Sequence, residues 1–209
     1  MIAVLTGDIV SSRLLQDKSK WLKRLQHIIE KKSGLSKPPK WGIFRGDGFQ
    51  IELTAPAEAL RIAILIRSGL KSIVEFHELG LDARIGIGIG KRGYIGKSIN
   101  ESDGEAFQAS GAMLDTLKSG VQVKTPWPEL DVSTNVALSL ANAIINDWTQ
   151  AESEAAWLSL SEHLTQVQMA SKLRISQPAV HKRSAGAHIG EIENLIGYFC
   201  SEVSKRVDK

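Results

Sequence analysis

The sequence has a single cysteine, few aromatic residues and no long apolar run. One thiol, Cys200, cannot form an intramolecular disulfide, and its apolar neighbours favour a buried, unreactive side chain. No apolar run approaches the roughly 18 residues that a membrane span needs, and the first residues lack the basic start of a signal peptide. We therefore expect a cytoplasmic protein that has no membrane segment and depends on no disulfide.

The rest of the composition is that of a folded chain. Of its 209 residues, 43% are hydrophobic and 23% charged, which excludes a disordered tail and a small disulfide scaffold. The net charge of +3 is too small to mark the whole chain as a polyanion binder. Its distribution is uneven, because residues 1–125 carry 19 Lys and Arg against 13 Asp and Glu, whereas residues 126–209 carry 7 against 10. We therefore expect two parts with different partners.

Residues 1–125 alternate between strand-like and helix-like patterns. The order β-α-β-β-α-β-α-β includes a hairpin between two helices, so we expect a mixed sheet with its helices on one face, of the ferredoxin-like pattern. In the last long strand isoleucine alternates with glycine, which leaves room for a close neighbour. Apolar runs and turn signals predict strands at 2–5, 41–45, 49–53, 81–90 and 121–124. Helical periodicity predicts helices near 17–32, 57–79 and 104–118.

The remainder of the chain, after Pro126 and Pro128, is predicted to be helical. The predicted helices lie near 131–148, 150–160, 166–173, 177–186 and 189–205. We therefore predict an α+β domain over residues 1–126, a helical linker or dimerisation segment over 127–160 and an all-α helix-turn-helix domain over 161–209. The apolar residues of the middle segment form either a core stripe or a dimer contact, and we favour a homodimer. They are Val136, Leu140, Ile144, Ile145 and Trp148.

Two aspartates carry the first candidate site. Asp8 follows the first strand, and Asp47 lies at the tip of the hairpin. In a βαββ arrangement that strand lies beside the hairpin, so both carboxylates can converge at one edge of the sheet. Hard oxygen ligands of this kind hold Mg²⁺ or Mn²⁺ beside a polyphosphate. The alternative is ordinary turn chemistry for both residues, with Asp8 as a helix N-cap.

Residues around the two aspartates favour a bound nucleotide. Backbone N–H groups at a helix start attract phosphate, hairpin glycines let the backbone approach a ligand, and arginine neutralises phosphate charge. Asp103 and Glu105 place two carboxylates near the start of the third helix. They are either first-turn residues, whose negative charge suits the helix dipole, or further ligand contacts. The predicted phosphate contacts are Ile9, Val10, Ser11, Ser12, Arg13, Arg45 and Gly46.

Residues 166–185 fit a helix-turn-helix pattern. Ala170 is the small residue where the helices cross, and the predicted buried positions are Met169, Leu173, Ile175 and Val180. Ser176 caps the second helix, whose exposed face carries side chains that suit base edges and phosphate. We therefore predict DNA contacts at Ser176, Gln177, Ala179, His181, Lys182 and Arg183.

Three features oppose DNA binding. The turn of such a motif usually carries a left-handed glycine, and Arg174 adopts that conformation only at a cost of about 1–2 kcal/mol. Ser184 stands where an apolar residue normally closes the second helix onto the core. The negative charge of residues 126–209 also weakens attraction to phosphate. The alternative is a helical docking module that does not bind DNA.

Several short motifs resemble those of the class III nucleotide cyclase domain. They are Asp8-Ile9-Val10, Gly46-Asp47-Gly48-Phe49, Arg84-Ile85-Gly86-Ile87-Gly88 and Gly104-Glu105-Ala106-Phe107. Together with the helical part, nearly all of the chain more closely resembles the SatD family, which joins such a domain to a C-terminal helix-turn-helix. The resemblance implies a nucleotide-cyclase-like βαββαβ core in which Asp8 and Asp47 are the two metal-binding aspartates.

The chain departs from the cyclase pattern at three positions. The resemblance places Ile43 where cyclases have a base-selecting Lys, and Ala112 where they have an Arg that stabilises transition-state charge. Gln108 replaces a ribose-binding Asn and can still donate a hydrogen bond, so it joins the predicted nucleotide contacts. The loss of one such electrostatic group costs on the order of 10²–10³ in rate. The pattern therefore favours a binder over an active cyclase.

The leading hypothesis is a DNA-binding transcriptional regulator whose cyclase-like domain senses a metal–nucleotide or a related phosphorylated ligand. Ligand binding would change the geometry of the dimer and so the spacing of its two DNA-reading helices. The rival hypothesis is an active or divergent nucleotide cyclase, or another Mg²⁺-dependent phosphoryl-transfer enzyme. A third hypothesis is a degenerate protein–protein module in which neither site functions.

Overall fold

The computed structural model describes residues 1–14, 19–44 and 46–207. Its strands are β1 (Ile2–Val10), β2 (Lys40–Phe44), β3 (Gly48–Leu53), β4 (Asp82–Gly90) and β5 (Val121–Lys124). Its α-helices are α1 (Ser19–His27), α2 (Ala59–Lys71), α3 (Glu105–Thr116), α4 (Pro128–Asn146), α5 (Gln150–Glu162), α6 (Gln166–Leu173), α7 (Gln177–Gly186) and α8 (Ile189–Val207). A π-helical turn (Ile28–Lys32) extends α1.

Most predicted elements are present, but several have different ends. β1 runs to Val10, past the predicted end at residue 5, because it pairs with β3 as far as Asp8 and with β4 as far as Val10. The predicted helix near 57–79 is shorter, since α2 ends at Lys71 and Val74–Leu79 forms a separate 3₁₀ turn. Gly80 then takes a φ of 63°, the left-handed conformation in which glycine commonly ends a helical segment.

The five strands form one mixed sheet in the order β2-β3-β1-β4-β5. β1 lies at the centre and pairs antiparallel with β3 and β4. β2 pairs antiparallel with β3 through the hairpin, and β5 pairs parallel with β4. The described residues from Pro128 onward contain helices and turns and no strand. The predicted α+β composition with a mixed sheet is therefore confirmed.

Different helices cover the two faces of the sheet. Successive side chains of a strand point to opposite faces. Ala3 and Leu5 of β1 pack in the large hydrophobic core with α1, α2 and the C-terminal helices. Ile2 and Val4 pack instead in a smaller cluster with residues of α3. The expectation that all helices lie on one face is therefore wrong for α3.

Alternate glycines of β4 allow α3 to lie directly on the sheet. A Cβ added at Gly86 would overlap the carbonyl oxygen of Ser110, and one added at Gly88 would overlap that of Ala106. A buried hydrogen bond of 2.7 Å between the hydroxyls of Thr6 and Ser110 holds the helix at this distance. The close neighbour of these glycines is thus a helix backbone.

Side chains of α4 cover the outer edge of β5. The Asn135 side chain accepts from the Val123 N–H at 2.9 Å and donates to the Val123 carbonyl at 2.8 Å. Asn142 makes the same pair of hydrogen bonds with Val121, both at 2.9 Å. The two amides therefore take the place of a neighbouring strand, and the edge of the sheet is closed.

A buried arginine joins α2, β4 and α4. Arg67 is 0% exposed, and its Nε and Nη2 donate to the two carboxylate oxygens of Asp82 at 2.9 and 2.7 Å. It also donates to the side-chain oxygens of Asn142 and Asn146 at 3.2 and 2.7 Å. Because a buried charge is costly unless it is paired and hydrogen-bonded, this network fixes α4 against α2.

The C-terminal helices share one hydrophobic core with the sheet. Trp157 of α5 and Phe199 of α8 lie in the same cluster as the buried side chains of α2. The predicted boundary at residue 126 coincides with the connection from β5 to α4, and the predicted boundary at residue 160 falls inside α5. In the parts of the chain that the structure describes, no helix has the length and apolar character of a membrane span.

Substitution of Gly88 tests the direct contact between α3 and β4. We expect Gly88→Ala to lower the free energy of unfolding by about 1–3 kcal/mol, because the new methyl group overlaps the Ala106 carbonyl. Gly111→Ala, in α3 itself, has no neighbour within 4 Å of the added Cβ and should raise stability by about 0.5–1 kcal/mol. Denaturant unfolding measures both, and a harmless Gly88→Ala would contradict the close packing.

Candidate functional site

The structure brings the two predicted metal ligands to the same end of the sheet. Asp8 lies opposite Gly48 of β3 and Arg84 of β4 in the strand register. Asp47 immediately precedes β3, and its carbonyl accepts from the Ile9 N–H at 3.2 Å. The hairpin tip is therefore fixed against the end of β1, and both aspartates belong to one cluster.

Arg84, to which the sequence pattern assigned no role, neutralises one of the two carboxylates, that of Asp8. Its Nε donates to Asp8 Oδ1 at 2.8 Å, its Nη2 donates to Asp8 Oδ2, and its Nη1 donates to the Leu117 carbonyl at 2.6 Å. The hydrogen bonds that Arg84 donates to Asp8 raise the pKa of Arg84, against a smaller opposing effect of burial, and the charges of Asp8 and Asp47 raise it further. A fork-shaped pair of this kind is the geometry in which guanidinium binds carboxylate best.

Ser12 holds the second carboxylate. Its hydroxyl donates to Asp47 Oδ2 at 2.6 Å, and its side chain is buried. The preceding residue, Ser11, has a φ of 63°, a left-handed conformation that is uncommon outside glycine. Strained backbone of this kind persists only where the surroundings enforce it, and it is often found at functional sites.

The other predicted phosphate contacts near Asp8 have a different local structure from the expected one. Ile9 and Val10 belong to β1 and not to a helix start, and a single 3₁₀ turn follows. Arg13 is exposed beyond that strand end. Gly46 is exposed, has a φ of 86° and has open space where a Cβ would lie, whereas Arg45 lies outside the described residues. A strand end and a turn therefore replace the expected helix start.

Gln108 does not lie near Asp8 and Asp47. The first turn of α3 packs against the Gly90 end of β4, whereas Leu117, which follows α3, bonds to Arg84. Gln108 belongs to that first turn, where its Nε2 lies 3.4 Å from a carboxylate oxygen of Asp103. The amide is therefore at the opposite end of the helix from the carboxylate cluster.

The carboxylate cluster does not fit a divalent cation as it is arranged. Mg²⁺ and Mn²⁺ bind carboxylate oxygens, but both oxygens of Asp8 accept from Arg84 and one oxygen of Asp47 accepts from Ser12. A cation would first have to displace the guanidinium. Across residues 1–14, 19–44 and 46–207, no three His, Cys, Asp or Glu side chains are grouped to hold a metal.

The second candidate site is the pair of helices α6 and α7, which a three-residue turn joins. Arg174 begins the turn with φ 55° and ψ 44°, the left-handed conformation that such a turn requires. The Ser176 hydroxyl accepts from the Ala179 N–H at 3.3 Å and so caps α7. Of the four predicted buried positions, Met169 and Val180 are buried, whereas Leu173 and Ile175 are half-buried. The turn therefore keeps its geometry with arginine in the glycine position.

One face of α7 is open to solvent. Ala179 is half-buried at its edge. Arg183 is also half-buried, and its Nη1 donates to Glu154 of α5 at 3.1 Å. The prediction that Arg183 belongs to the exposed face is therefore wrong, because packing turns this side of α7 toward α5. The predicted DNA contacts that are exposed are Ser176, Gln177, His181 and Lys182.

The sequence around these two helices contains no acid. Residues 163–190 include Lys172, Arg174, Lys182 and Arg183 but no Asp or Glu. Lys172 pairs with Glu162 of α5. Arg174 and Lys182 are exposed and form no ion pair within the described part of the chain. The C-terminal half has a negative net charge, but this stretch within it is basic.

One side of α4 carries an exposed apolar stripe, formed by Val132, Val136 and Leu140. These side chains are 67%, 62% and 68% exposed, and their four-residue spacing places them along one side of the helix. Ile145 and Trp148, which were predicted to share a stripe with Val136 and Leu140, are buried in the core. The predicted apolar pattern is therefore divided between the core and the surface.

Removal of the Arg84 guanidinium tests its role as the cation of the cluster. We expect Arg84→Gln to bind Mn²⁺ at least about tenfold more tightly than the wild type, which corresponds to about 1.4 kcal/mol, because both oxygens of Asp8 become available. Titration followed by electron paramagnetic resonance measures the affinity. Asp8→Asn in the same background should abolish the gain, and equal Mn²⁺ affinity in wild type and variant would contradict the assignment.

Comparisons with known proteins assign no family. No family model matches the sequence, and no curated protein matches it. The functional conclusion therefore depends on two structural features, the carboxylate cluster around Arg84 and the exposed face of α7.

Proposed function

We propose that the chain is a transcriptional regulator that binds duplex DNA with α7 in the major groove. The observation that carries this proposal is the α6–α7 pair, with its three-residue turn, its Ser176 cap and an exposed face with Gln177, His181 and Lys182. Recognition helices contact bases with their N-terminal residues, and Gln177 is the first residue of α7. Glutamine pairs with adenine edges, and lysine suits guanine or phosphate.

The local charge supports this proposal. Attraction to DNA depends on the phosphates that Lys and Arg neutralise. The exposed side chains of Arg174 and Lys182 lie in the turn and in α7, within a stretch that contains no acid. The acids that make residues 126–209 negative lie before residue 163 and after residue 190. The C-terminal half is therefore acidic overall, but its surface is basic where DNA would lie.

The exposed stripe of α4 supports a homodimer as the DNA-binding unit. DNA-reading helices of this kind work in symmetric pairs, and a two-fold interface uses the same patch on both copies. Val132, Val136 and Leu140 form an uncharged patch, since the residues between them on that side, Ser133 and Ser139, are also neutral. Two such stripes would pair without burying an unpaired charge.

The strand arrangement supports a cyclase-like N-terminal part. The strands β2-β3-β1-β4 are neighbours in that order and all pair antiparallel, as expected for a ferredoxin-like βαββαβ unit, and this agrees with the resemblance to the SatD family. We propose that the Asp8–Arg84–Asp47 cluster binds a nucleotide or a related phosphorylated ligand as a sensor. Arg84 is 32% exposed, so its guanidinium can exchange the Asp8 carboxylate for a phosphate.

Catalysis is the weaker proposal. Ala112 is an exposed residue of α3 whose methyl group cannot stabilise charge, and Ile43 lacks a polar group to select a base. The Asp8 carboxylate is held by Arg84. These features suit ligand binding better than phosphoryl transfer.

Selection of binding sequences from a random duplex library tests DNA recognition. We expect one sequence family to be enriched, and fluorescence anisotropy to show that Gln177→Ala weakens binding to it by about 1–3 kcal/mol with loss of base discrimination. Lys182→Ala should weaken binding to all duplexes alike and reduce the magnitude of the salt dependence by about one unit.

The matched control for this experiment is Lys205→Ala, which removes the same charge from an exposed position of α8. Its DNA affinity should equal that of the wild type. If no sequence is enriched, or if all three variants lose affinity equally, α7 does not read DNA and the proposal fails.

Substitution in the α4 stripe tests the dimer. We expect the wild type to sediment as a dimer at micromolar concentration and Leu140→Glu to sediment as a monomer, because the interface would then bury unpaired charge. Val74→Glu places the same charge at another exposed apolar position, which is 69% exposed, and should leave the dimer intact. A monomeric wild type would exclude the α4 interface.

A further inference from the structure

A pocket lies at the other end of the sheet from the carboxylate cluster. Its walls are the segment before β2, the end of β3 and the residue Arg92 after β4, and its volume is about 340 Å³. The strand register places Glu52, one of its lining residues, opposite Val4 of β1. Asp8 is four residues farther along β1, which is roughly 13 Å in a strand. The two sites are therefore separate.

The pocket has an excess of positive charge. Its charged lining residues are Lys37, Lys40, Arg92 and Glu52. Glu52 is 5% exposed, and the Arg92 Nη2 donates to its Oε1 at 2.6 Å. Lys37 and Lys40 are exposed and form no ion pair with the rest of the described chain. With Arg92 and Glu52 neutralising each other, two positive charges remain without a partner.

One of the positive groups, the Arg92 guanidinium, is held in place at the pocket. Glu52 is buried and fixes the Arg92 guanidinium, which has five N–H donors and uses one of them in its hydrogen bond to Glu52. Pro38 and Pro39 restrict the backbone between the two lysines. A guanidinium with free donors and two nearby ammonium groups is the combination that binds phosphate oxygens well.

We propose that this pocket binds a small phosphorylated molecule through Lys37, Lys40 and Arg92. The volume lies at the lower end of the range for small-molecule sites, and the concave shape suits a compact ligand better than a nucleic-acid backbone. Two uncompensated positive charges match the charge of a phosphate monoester. The site uses no residue of the carboxylate cluster or of α7, so it does not depend on the function proposed above.

Calorimetric titration of the full chain with pyrophosphate and with glycerol phosphate at low ionic strength tests this site. We expect both probes to bind the wild type, and the double variant Lys37→Gln/Lys40→Gln to bind them at least tenfold more weakly. Lys31→Gln/Lys118→Gln removes the same charge from exposed positions outside the pocket and should change the affinity less than twofold.

Amide shifts in a nuclear magnetic resonance titration locate the bound probe. We expect the largest changes at Thr54 and Ala55, which line the pocket. Absence of binding by both probes overturns the proposal, and so does an equal loss of affinity in the two double lysine variants, which would indicate general charge attraction.

Discussion

Hydrogen bonding of α4 side chains to the outer edge of β5 is the interaction on which the rest of the structure depends. An open strand edge pairs readily with other chains, and each buried backbone group left unpaired costs about 1–3 kcal/mol. Asn135 and Asn142 satisfy these groups, so their side of α4 must face the sheet. The adjoining side, with Val136 and Leu140, must then face solvent. One polar contact thus closes the sheet and also determines which apolar residues remain available to a partner.

Two arginine–carboxylate pairs, each with one residue on β4, differ in how strongly the fold depends on them. Arg67 is fully buried and pairs with Asp82, and removal of the carboxylate from such a pair costs about 3–5 kcal/mol because the arginine charge stays buried. Arg84 and Asp8 have the same forked geometry, but their side chains are 32% and 28% exposed. A partly exposed pair contributes less to stability than a buried one. Loss of the Arg84–Asp8 pair should therefore cost the fold less than loss of the Arg67–Asp82 pair.

The sequence predicts the elements of this protein better than it predicts what they contact. Alternate glycines show that one face of β4 lacks Cβ atoms, but their spacing does not say whether a ligand or a helix fills the gap, and α3 fills it. Asp8 and Asp47 could be placed together because a short hairpin and its neighbouring strand determine both positions. The role of Arg84 was missed because its partner is 76 residues away and only the strand register brings them together. Arg183 was misplaced because packing against α5 sets the rotation of α7.

α5 is the element that holds α7 to the helices over the sheet. Trp157 packs where Gly69 of α2 has no side chain, and the Arg24 guanidinium lies 4.1 Å from the centre of its ring. Glu154, three residues earlier on the same side of α5, accepts from Arg183 of α7 at 3.1 Å. Burial lowers the pKa of Arg24 and the charge of Glu154 partly offsets this effect, so Glu154 stabilises both guanidinium groups. A shift of α2 against Trp157 would therefore move Glu154 and, through Arg183, the helix α7 that we propose contacts DNA.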